Sequence, residues 1–271
     1  MDHLVQRTAV ITGAASGIGL GLARACAAAG MGVALLDIQR APLQAAEREL
    51  AATGADVFAV LTDVSDAASV EAACEAVHRR FDKVHLLANN AGVAVHGRPI
   101  PDVPMADWHW ALGVNVMGVV HGIHSFLPRM RAHGEGGHIL NTASIGGLQV
   151  RPGLNGGAYS ATKYAVVALS ESLRNELAGT DIGVTVLCPG AVRTNLARVD
   201  AARPERFGSA SAETISEFLS AVLEAGADPD VIGEQALRAV RERRFFVFTH
   251  PEHREWIATR HAELMEAFDH V

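Results

Sequence analysis

Short runs of apolar and β-branched residues alternate along the chain with amphipathic helical patterns, at intervals of about 20 to 40 residues. Most of these runs are continuously apolar, as expected for strands that helices cover on both faces. The alternation is typical of βαβ units and predicts a doubly wound parallel α/β sheet in a single domain. The seven predicted strands are Thr8–Thr12, Val33–Asp37, Val57–Leu61, Leu86–Asn89, His138–Thr142, Val184–Cys188 and Phe245–Phe248.

One region departs from this alternation. Between residues 193 and 227, Asn, Arg, Pro and Gly interrupt an amphipathic piece, which we interpret as a helical flap over a substrate site. Residues 228–271 are expected to supply a helix that begins after Asp228-Pro229, the last strand, and a terminal helix over Pro251–Phe268. Core packing is the expected role of the terminal helix, and docking on a neighbouring subunit is the alternative.

The charge balance changes the range of partners to consider. A net charge of −7, from 23 basic and 30 acidic residues, argues against nucleic acid or an anionic membrane and favours a small ligand. The N-terminal stretch has no signal-peptide pattern, and no apolar run reaches the roughly 18 residues of a spanning helix, so we expect a cytoplasmic protein. Cys26, Cys74 and Cys188 form no CxxC pair and lie in apolar stretches, which predicts buried free thiols.

A glycine-rich turn follows the first predicted strand and opens the first helix. It reads Thr12-Gly13-Ala14-Ala15-Ser16-Gly17-Ile18-Gly19, and backbone N–H groups at such a helix start can receive a pyrophosphate. A tight turn alone would also explain these glycines. Asp37 ends the second strand 24 residues after Gly13, where a carboxylate accepts hydrogen bonds from ribose hydroxyls and repels a 2′-phosphate. NAD is therefore favoured over NADP, although the nearby Arg40 could soften that preference.

Polar residues also follow the third and fourth predicted strands, at the sheet edge where open α/β sheets bind ligands. Asp63, before Val64 and Ser65, could reach an adenine or cap the next helix. Asn90, Ala91 and Gly92 could contact a cofactor or tie neighbouring strand ends together. Both readings stay open for each group.

The chain has only two lysines and two tyrosines, yet Tyr159 and Lys163 lie four residues apart in a helical stretch. Side chains at this spacing share one helix face. A phenol becomes a usable acid or base when a neighbouring ammonium stabilises its phenolate. Ser144, which ends the fifth strand, and Asn115, a polar residue in an apolar helical run, could complete such a site, although each alone has a structural reading.

The motifs TGAASGIG, NNAG, VNVMG, YSATK and PGAVRT occur in this order, together with Asp37 and Ser144. On these residues the chain resembles the short-chain dehydrogenases/reductases of the short single-domain branch, from about Thr8 to Thr194. The resemblance implies a Rossmann-type sheet with residues 1–192 as cofactor-binding and catalytic core, and a catalytic tetrad of Asn115, Ser144, Tyr159 and Lys163. The residues expected to contact the cofactor are Gly13, Ser16, Gly17, Ile18, Gly19, Asp37, Asp63, Val64, Asn90, Ala91, Gly92, Tyr159, Lys163, Pro189, Gly190, Val192 and Thr194.

In this family the tyrosine takes the alcohol proton while hydride leaves for the nicotinamide, and the asparagine fixes a water. Two departures from the family pattern concern the substrate: the loop Ile145–Ala158 is slightly longer, and the tail lacks the Gly-Gly ending of acyl-carrier-protein reductases. The tail is similar to that of dehydrogenases for bulky aryl or alicyclic secondary alcohols. We expect an apolar pocket for such a substrate, with contacts from Ser144, Ile145, Leu154, Tyr159 and Leu196.

The favoured function is therefore an NAD-dependent oxidoreductase that interconverts a bulky secondary alcohol, of aryl, alicyclic or steroid-like type, and its ketone. A 3-oxoacyl thioester reductase is the alternative within enzymes, and a non-catalytic dinucleotide-sensing protein is the alternative of another class. Despite 13 histidines, the sequence has no HExxH and no Cys/His cluster, so no metal site is expected. The helices around residues 107–130 and 160–177 are those that this family uses for assembly, which predicts a homo-oligomer, a dimer or tetramer.

Overall fold

Seven parallel strands form one sheet in the part of the chain that a computed structural model describes, residues 4–196, 202–208 and 217–270. The strand order is β3-β2-β1-β4-β5-β6-β7, the arrangement of a doubly wound Rossmann-like fold. Each predicted strand is present, and the ends differ by at most two residues, so the fold prediction is confirmed. The strands are β1 (Thr8–Thr12), β2 (Gly32–Asp37), β3 (Val57–Leu61), β4 (Leu86–Asn89), β5 (Gly137–Thr142), β6 (Ile182–Cys188) and β7 (Phe246–Phe248).

Helices cover both faces of this sheet. One face packs against α1, α2 and α8, and the other against α3 to α6. The helices are α1 (Gly17–Ala28), α2 (Arg40–Ala51), α3 (Ala67–Phe81), α4 (Met105–Leu112), α5 (Gly118–Ala132), α6 (Gly157–Glu176), α7 (Glu217–Glu224), α8 (Pro229–Arg241) and α9 (Arg254–Glu266). A π-helical turn, Gly113–Met117, joins α4 to α5.

The continuous apolar runs are explained by burial on both faces. In β1, Ala9 and Ile11 belong to the core on the α1 side, and Val10 belongs to the core on the opposite side. All three are 0 % exposed. Because side chains of a strand point alternately to its two faces, a strand buried on both must be apolar at every position.

Two glycines allow α1 and α8 to cross in direct backbone contact. A Cβ on Gly21 would lie 2.3 Å from the carbonyl oxygen of Pro229, and a Cβ on Gly233 would lie 2.3 Å from the carbonyl carbon of Gly21. The start of α8 is as predicted, with the Asp228 side chain accepting from the N–H of Asp230 at 2.9 Å. The Gly-rich start of α1 is thereby fixed at the sheet edge by a close helix pair.

Two sequence expectations about the helices are corrected: that no stretch has the length and apolarity of a spanning helix, and that the terminal helix packs in the core. Within the described residues, the helical stretch Met105–Ala132 has a mean hydropathy of 1.3 over 18 residues, enough by length and composition to cross a membrane. Because 56 % of that window is buried inside the fold, a core helix accounts for it. The expected core packing of the terminal helix is also wrong, since no residue of α9 is buried. Its ring contacts are peripheral, between Arg260 and Tyr164 and between Trp256 and its neighbours.

The predicted flap leaves and rejoins the body at one point. Val192 and Ala227 form an isolated parallel bridge, the N–H of Arg193 donates to the Ala227 carbonyl, and that of Ala227 donates to the Ala191 carbonyl, both at 2.9 Å. Between these ends, the structure describes residues 202–208 and α7, while residues 197–201 and 209–216 of the predicted flap lie outside the described residues. Cys26, Cys74 and Cys188 are buried free thiols, as expected.

Candidate active site

The glycine-rich turn brings the first turn of α1 against the end of β4. Gly13 and Gly17 have φ of 65° and 55°, the left-handed region that favours glycine. A Cβ on Gly13 would lie 2.8 Å from the Ala91 Cα, and one on Gly19 would lie 2.1 Å from the Gly13 carbonyl oxygen. Ser16 at the N-cap makes no side-chain capping bond, so the first N–H groups of α1 stay available beside the cavity that this turn lines.

Asp37 lies at the end of β2, on the same cavity. Its two carboxylate oxygens accept from backbone N–H groups, Oδ2 from Ala15 at 3.1 Å and Oδ1 from Gln39 at 2.9 Å. Burial raises the pKa of this carboxyl, while the hydrogen bonds act to lower it. The carboxylate is therefore held in one orientation at the far end of the cavity from Tyr159, beside the glycine-rich turn.

Asp63 does not cap α3, since Asp66 takes that role by accepting from the Ala68 N–H. Instead, Asp63 Oδ1 accepts from the backbone N–H and the hydroxyl of Ser65, and Oδ2 pairs with Arg206 at 2.6 Å. Asp63 and Val64 line the cavity next to Asp37. Their predicted contact with an adenine stays a prediction.

The Asn90 to Gly92 segment ties strand ends together and also lines the cavity. The Thr12 hydroxyl accepts from the N–H groups of Asn90 at 2.9 Å and Ala91 at 3.0 Å, and the Asn90 amide donates to the Thr12 carbonyl at 3.1 Å. The structural reading of this segment is thus observed. The same segment lines the cavity, so its predicted contact with a cofactor is compatible with this structural role and stays a prediction.

Tyr159 and Lys163 lie one turn apart on α6, and the Lys163 Nζ is 5.7 Å from the centre of the Tyr159 ring. Lys163 is 3 % exposed, and its ammonium donates to the Thr142 carbonyl at 2.9 Å. Burial lowers the pKa of Lys163 to about 8. Burial also raises the pKa of Tyr159 to about 12, against a hydrogen bond with Ser144 that acts to lower it. The pair therefore holds a neutral phenol beside an ammonium at pH 7.

The other two residues of the predicted tetrad come from two other parts of the chain. Ser144 follows β5, and Asn115 lies in the π-helical turn. The Ser144 hydroxyl lies at the end of β5, 3.1 Å from the Gly146 N–H that donates to it. The Asn115 side chain accepts from the Val93 N–H at 2.8 Å and donates to the Val93 carbonyl and the Thr162 hydroxyl, both at 2.9 Å. Its amide is thus satisfied inside the π-helical turn, which removes the cost of burying it.

Two residues of the predicted tetrad, Lys163 and Asn115, lie close to one glycine, Gly92. A Cβ on Gly92 would lie 3.3 Å from the Lys163 Nζ and 3.4 Å from the Asn115 Oδ1. A side chain at this position would be in tight contact with both groups, so the absence of one at Gly92 leaves them undisturbed.

His96 packs on the Tyr159 ring, with centroids 4.7 Å apart and planes tilted by 40°. Burial lowers the pKa of His96 to about 4, so the imidazole is neutral at pH 7. Its Nδ1 is buried without a hydrogen-bond partner among the described residues. His96 is not among the described residues that line the cavity and so supports Tyr159 from another side.

One cavity of about 440 Å³ runs along the carboxyl ends of the strands. The predicted site residues that line it are Gly13, Ser16, Gly17, Ile18, Asp37, Asp63, Val64, Asn90, Ala91, Gly92, Ser144, Tyr159, Lys163, Pro189, Gly190, Val192, Thr194 and Leu196. Among the residues described, Gly19, Asn115, Ile145 and Leu154 do not line it. The cofactor contact of Gly19, the catalytic role of Asn115 and the substrate contacts of Ile145 and Leu154 stay predictions.

Residues 202–208, here termed the strap, belong to the predicted flap, and two of them that sequence reasoning did not name, Ala202 and Pro204, line the cavity. Arg203 pairs with Asp107 of α4 at 2.6 Å, both side chains being 2 % exposed, and donates to the Phe207 carbonyl. Its guanidinium also lies 4.7 Å from the centre of the Trp110 ring. Residues 96 positions apart form this pair, so no local pattern could have indicated it.

Among the described residues, no group of three or more His, Cys, Asp or Glu side chains could hold a metal ion. The chemistry that the site offers is acid–base chemistry next to a cleft with a glycine-rich helix start and a carboxylate. This is the arrangement of a dinucleotide-dependent oxidoreductase.

Comparison with known proteins gives the class. A family model described as short chain dehydrogenase matches residues 7–204. The chain therefore belongs to the short-chain dehydrogenase/reductase family, a family of oxidoreductases. The crystal structure of a family member from Burkholderia phymatum in complex with NAD has a TM-score of 0.94 at 37 % identity, over 98 % of this chain and 97 % of that one.

Two curated relatives share most of their length with this chain. A 1-deoxy-11-beta-hydroxypentalenate dehydrogenase from Streptomyces avermitilis is 37 % identical over 92 % of this chain and 87 % of its own length. A C alpha-dehydrogenase from Sphingobium sp. is 32 % identical over 94 % of this chain and 84 % of its own. Both names describe dehydrogenases, in agreement with the family.

Proposed function

We propose that this protein is an NAD(H)-dependent enzyme that interconverts a bulky hydrophobic secondary alcohol and the corresponding ketone. The observation that carries the proposal is that one cavity joins the glycine-rich turn and Asp37 to Ser144, Tyr159 and Lys163. The relatives named above for dehydrogenation of a hydroxypentalenate and at C alpha, and the family member solved with NAD, support it.

The described residues fit a nicotinamide dinucleotide. A Cβ on Gly13 or Gly19 would collide with the neighbouring backbone. Because both residues are glycines, the turn stays tight and its N–H groups remain open to the close approach of a pyrophosphate. Asp37, with both oxygens oriented by backbone N–H groups, would hold the ribose hydroxyls and disfavour a 2′-phosphate. Pro189, Gly190 and Val192 would hold the nicotinamide end beside Ser144.

The acid–base roles follow from the local charges. A bound nicotinamide supplies the hydride acceptor in oxidation and the hydride donor in reduction. Tyr159 takes the proton of the alcohol hydroxyl or returns it to the ketone oxygen, and the Lys163 ammonium favours the phenolate form that oxidation requires. The Ser144 hydroxyl orients the substrate oxygen. We assign to Asn115 the water-anchoring role implied by the family.

The substrate end of the cavity is largely apolar. Its side chains include Val93, Trp110, Val114, Leu196 and Leu223. These side chains gain by excluding water from a hydrophobic substrate and offer no charged group for a carboxylate. This lining favours aryl, alicyclic or steroid-like alcohols.

The test is a turnover assay with purified protein, NAD or NADP, and a panel of aryl, alicyclic, steroid and 3-hydroxyacyl alcohols, followed by absorbance of the reduced nicotinamide. We expect turnover with NAD on bulky secondary alcohols. Tyr159→Phe should lower kcat by about 10²- to 10⁴-fold without loss of NAD binding. Tyr164→Phe is the matched control, because Tyr164 contacts Arg260 of α9 and does not line the cavity.

Three outcomes would contradict the proposal in different ways. Turnover of 3-hydroxyacyl thioesters alone would favour the thioester reductase. Preference for NADP would refute the role given to Asp37. Tight NAD binding with no turnover on any alcohol, in the wild type as in Tyr159→Phe, would favour a dinucleotide-sensing protein.

We also infer that the chain forms a homo-oligomer, a dimer or tetramer. Support comes from exposed apolar side chains on the edge strand and in the 3-10 turn Ala267–His270 that follows α9, with Phe248 46 % exposed and Phe268 72 % exposed. Size-exclusion chromatography with light scattering measures this directly. A monomer at micromolar concentration would refute the inference.

A further inference from the structure

The segment that follows β7 packs on the loop Pro189–Val192. The N–H of Gly190 donates to the Nδ1 of His250 at 3.1 Å, and the Nε2 of His250 lies 2.9 Å from the Ala191 carbonyl oxygen. The Thr249 hydroxyl lies 2.7 Å from the same Nδ1. One imidazole thus bonds to the backbone of two successive residues of the loop.

These partners determine the protonation of the ring. A backbone N–H can only donate, so Nδ1 of His250 must be the acceptor, and a carbonyl can only accept, so Nε2 must carry the proton. His250 is therefore neutral in this arrangement. A side chain without an acceptor and a donor at these two positions could not make both bonds.

Glycine at position 190 is what allows this close contact. A Cβ there would lie 2.5 Å from the Nε2 of His253 and 2.7 Å from the Cγ of His250. The two rings stack with centroids 5.7 Å apart, and His253 stacks on Trp256 at 4.6 Å. The two histidines therefore pack directly on the loop at Gly190.

The opposite side of the same loop faces the candidate site. The Pro189 carbonyl accepts from the Ile145 N–H at 2.9 Å and lies 3.5 Å from the Ser144 hydroxyl. Pro189, Gly190 and Val192 line the cavity. The loop is thus held between Ser144 on one side and His250 on the other.

We propose that His250 is a positioning residue, which fixes the Pro189–Val192 loop in the place where the nicotinamide end of the cofactor binds. The proposal rests on the proposed function, because it takes the loop as the nicotinamide wall. His250 is not among the described cavity-lining residues, so it acts only through Gly190 and Ala191. Its effect should be confined to the nicotinamide half of the cofactor, since the adenosine half would be held by Asp37, which has no contact with His250.

The experiment compares full-length wild type with His250→Leu, His250→Asn and His250→Gln. For each, the Kd of NAD and of ADP-ribose, which lacks the nicotinamide, is measured by calorimetry, together with kcat, KM and Tm. His250→Leu should weaken NAD about tenfold, the effect expected from losing one or two hydrogen bonds, and leave ADP-ribose within twofold. His250→Asn retains an acceptor near the position of Nδ1, and His250→Gln retains a donor that can reach the Ala191 carbonyl, so both should recover part of the loss.

His261→Leu is the matched control, because His261 is an exposed histidine of α9 and should change neither affinity. Equal weakening of NAD and ADP-ribose in all His250 variants would show a general structural role and overturn the proposal. Unchanged NAD affinity in His250→Leu would overturn it as well. If wild type binds NAD no more tightly than ADP-ribose and turns over no alcohol, the result refutes the proposed function itself. If His250→Leu does not fold, the Asn and Gln variants carry the same comparison.

Discussion

Lys163→Met should stabilise the fold at neutral pH while it abolishes turnover. Lys163 is 3 % exposed, and its ammonium donates a hydrogen bond to the Thr142 carbonyl. Burial lowers the pKa of Lys163 from an ordinary value of 10.5 to about 8. At 1.36 kcal/mol for each pH unit, this shift opposes folding by about 3 kcal/mol when the lysine is charged. With the lost hydrogen bond subtracted, we expect the unfolding free energy to rise by about 2 kcal/mol at pH 7.

The pH dependence tests the origin of that gain. Above pH 10.5 Lys163 is neutral in the folded and in the unfolded chain, so no charge on it opposes folding. Between 10.5 and about 8 the unfolded chain binds a proton that the folded chain does not, so wild type loses stability as the pH falls through this window. Below about 8 the loss is complete. The difference between Lys163→Met and wild type should therefore be largest near pH 7 and shrink towards pH 10.

Urea unfolding at pH 7, 8.5 and 10, at one protein concentration, measures this difference. Lys83→Met is the matched control, since Lys83 is the other lysine of the chain and pairs on the surface with Glu135. That hydrogen bond raises the pKa of Lys83, so its replacement should bring no gain at pH 7. A Lys163→Met variant no more stable than wild type at pH 7, or a gap that stays constant up to pH 10, would refute the reasoning.

Three further substitutions test the cavity walls and the core. Asp37→Ser should raise the ratio of kcat/KM for NADP over NAD by about 10- to 100-fold, because it removes a charge that repels a 2′-phosphate, and an unchanged ratio would contradict this. Arg203→Leu removes the buried ion pair with Asp107 and the hydrogen bond to the Phe207 carbonyl and should cost about 1–3 kcal/mol in urea unfolding, whereas an unchanged unfolding free energy would mean that these contacts are not made in solution. Gly122→Ala places a Cβ 2.1 Å from Asn89 Oδ1 and should lower stability by about 1–3 kcal/mol, while an unchanged Tm would show that this contact relaxes freely.

The sheet could be predicted from sequence because each strand carries its own information. In β1 and β2 the inner residues, 9–11 and 33–36, are all apolar and 0 % exposed, a pattern that burial on both faces enforces and that a helix or a half-exposed strand would not show. Once the order of parallel strands is given, right-handed crossovers bring their carboxyl ends to one edge. The positions of Asp37, Ser144 and the glycine-rich turn along one cavity follow from that geometry.

What the sequence could not indicate depends on side chains that are distant along the chain. The strap is fixed by Arg203 with Asp107, and the Pro189–Val192 loop by His250. An arginine or histidine in an irregular stretch has no period from which its partner could be read. The position of the terminal helix was predicted wrongly for a related reason. Trp256, Leu264 and Phe268 suggest core packing, but the chain reaches them after β7, the edge strand, and no residue of α9 is buried.

The two ends of the cavity therefore differ in what holds them. Asp37 is placed by the end of β2, and Tyr159 and Lys163 by α6, which buries eight of its residues, so the proposed proton transfer and dinucleotide binding depend on the common core of the fold. The substrate wall is supplied in part by the strap, which is fastened by an ion pair and a ring contact instead of a strand or a long helix. Changes in this segment can alter the shape of the pocket without disturbing the sheet. The same division explains why the reaction type can be inferred from motifs, while the choice of alcohol depends on contacts that only the folded chain brings together.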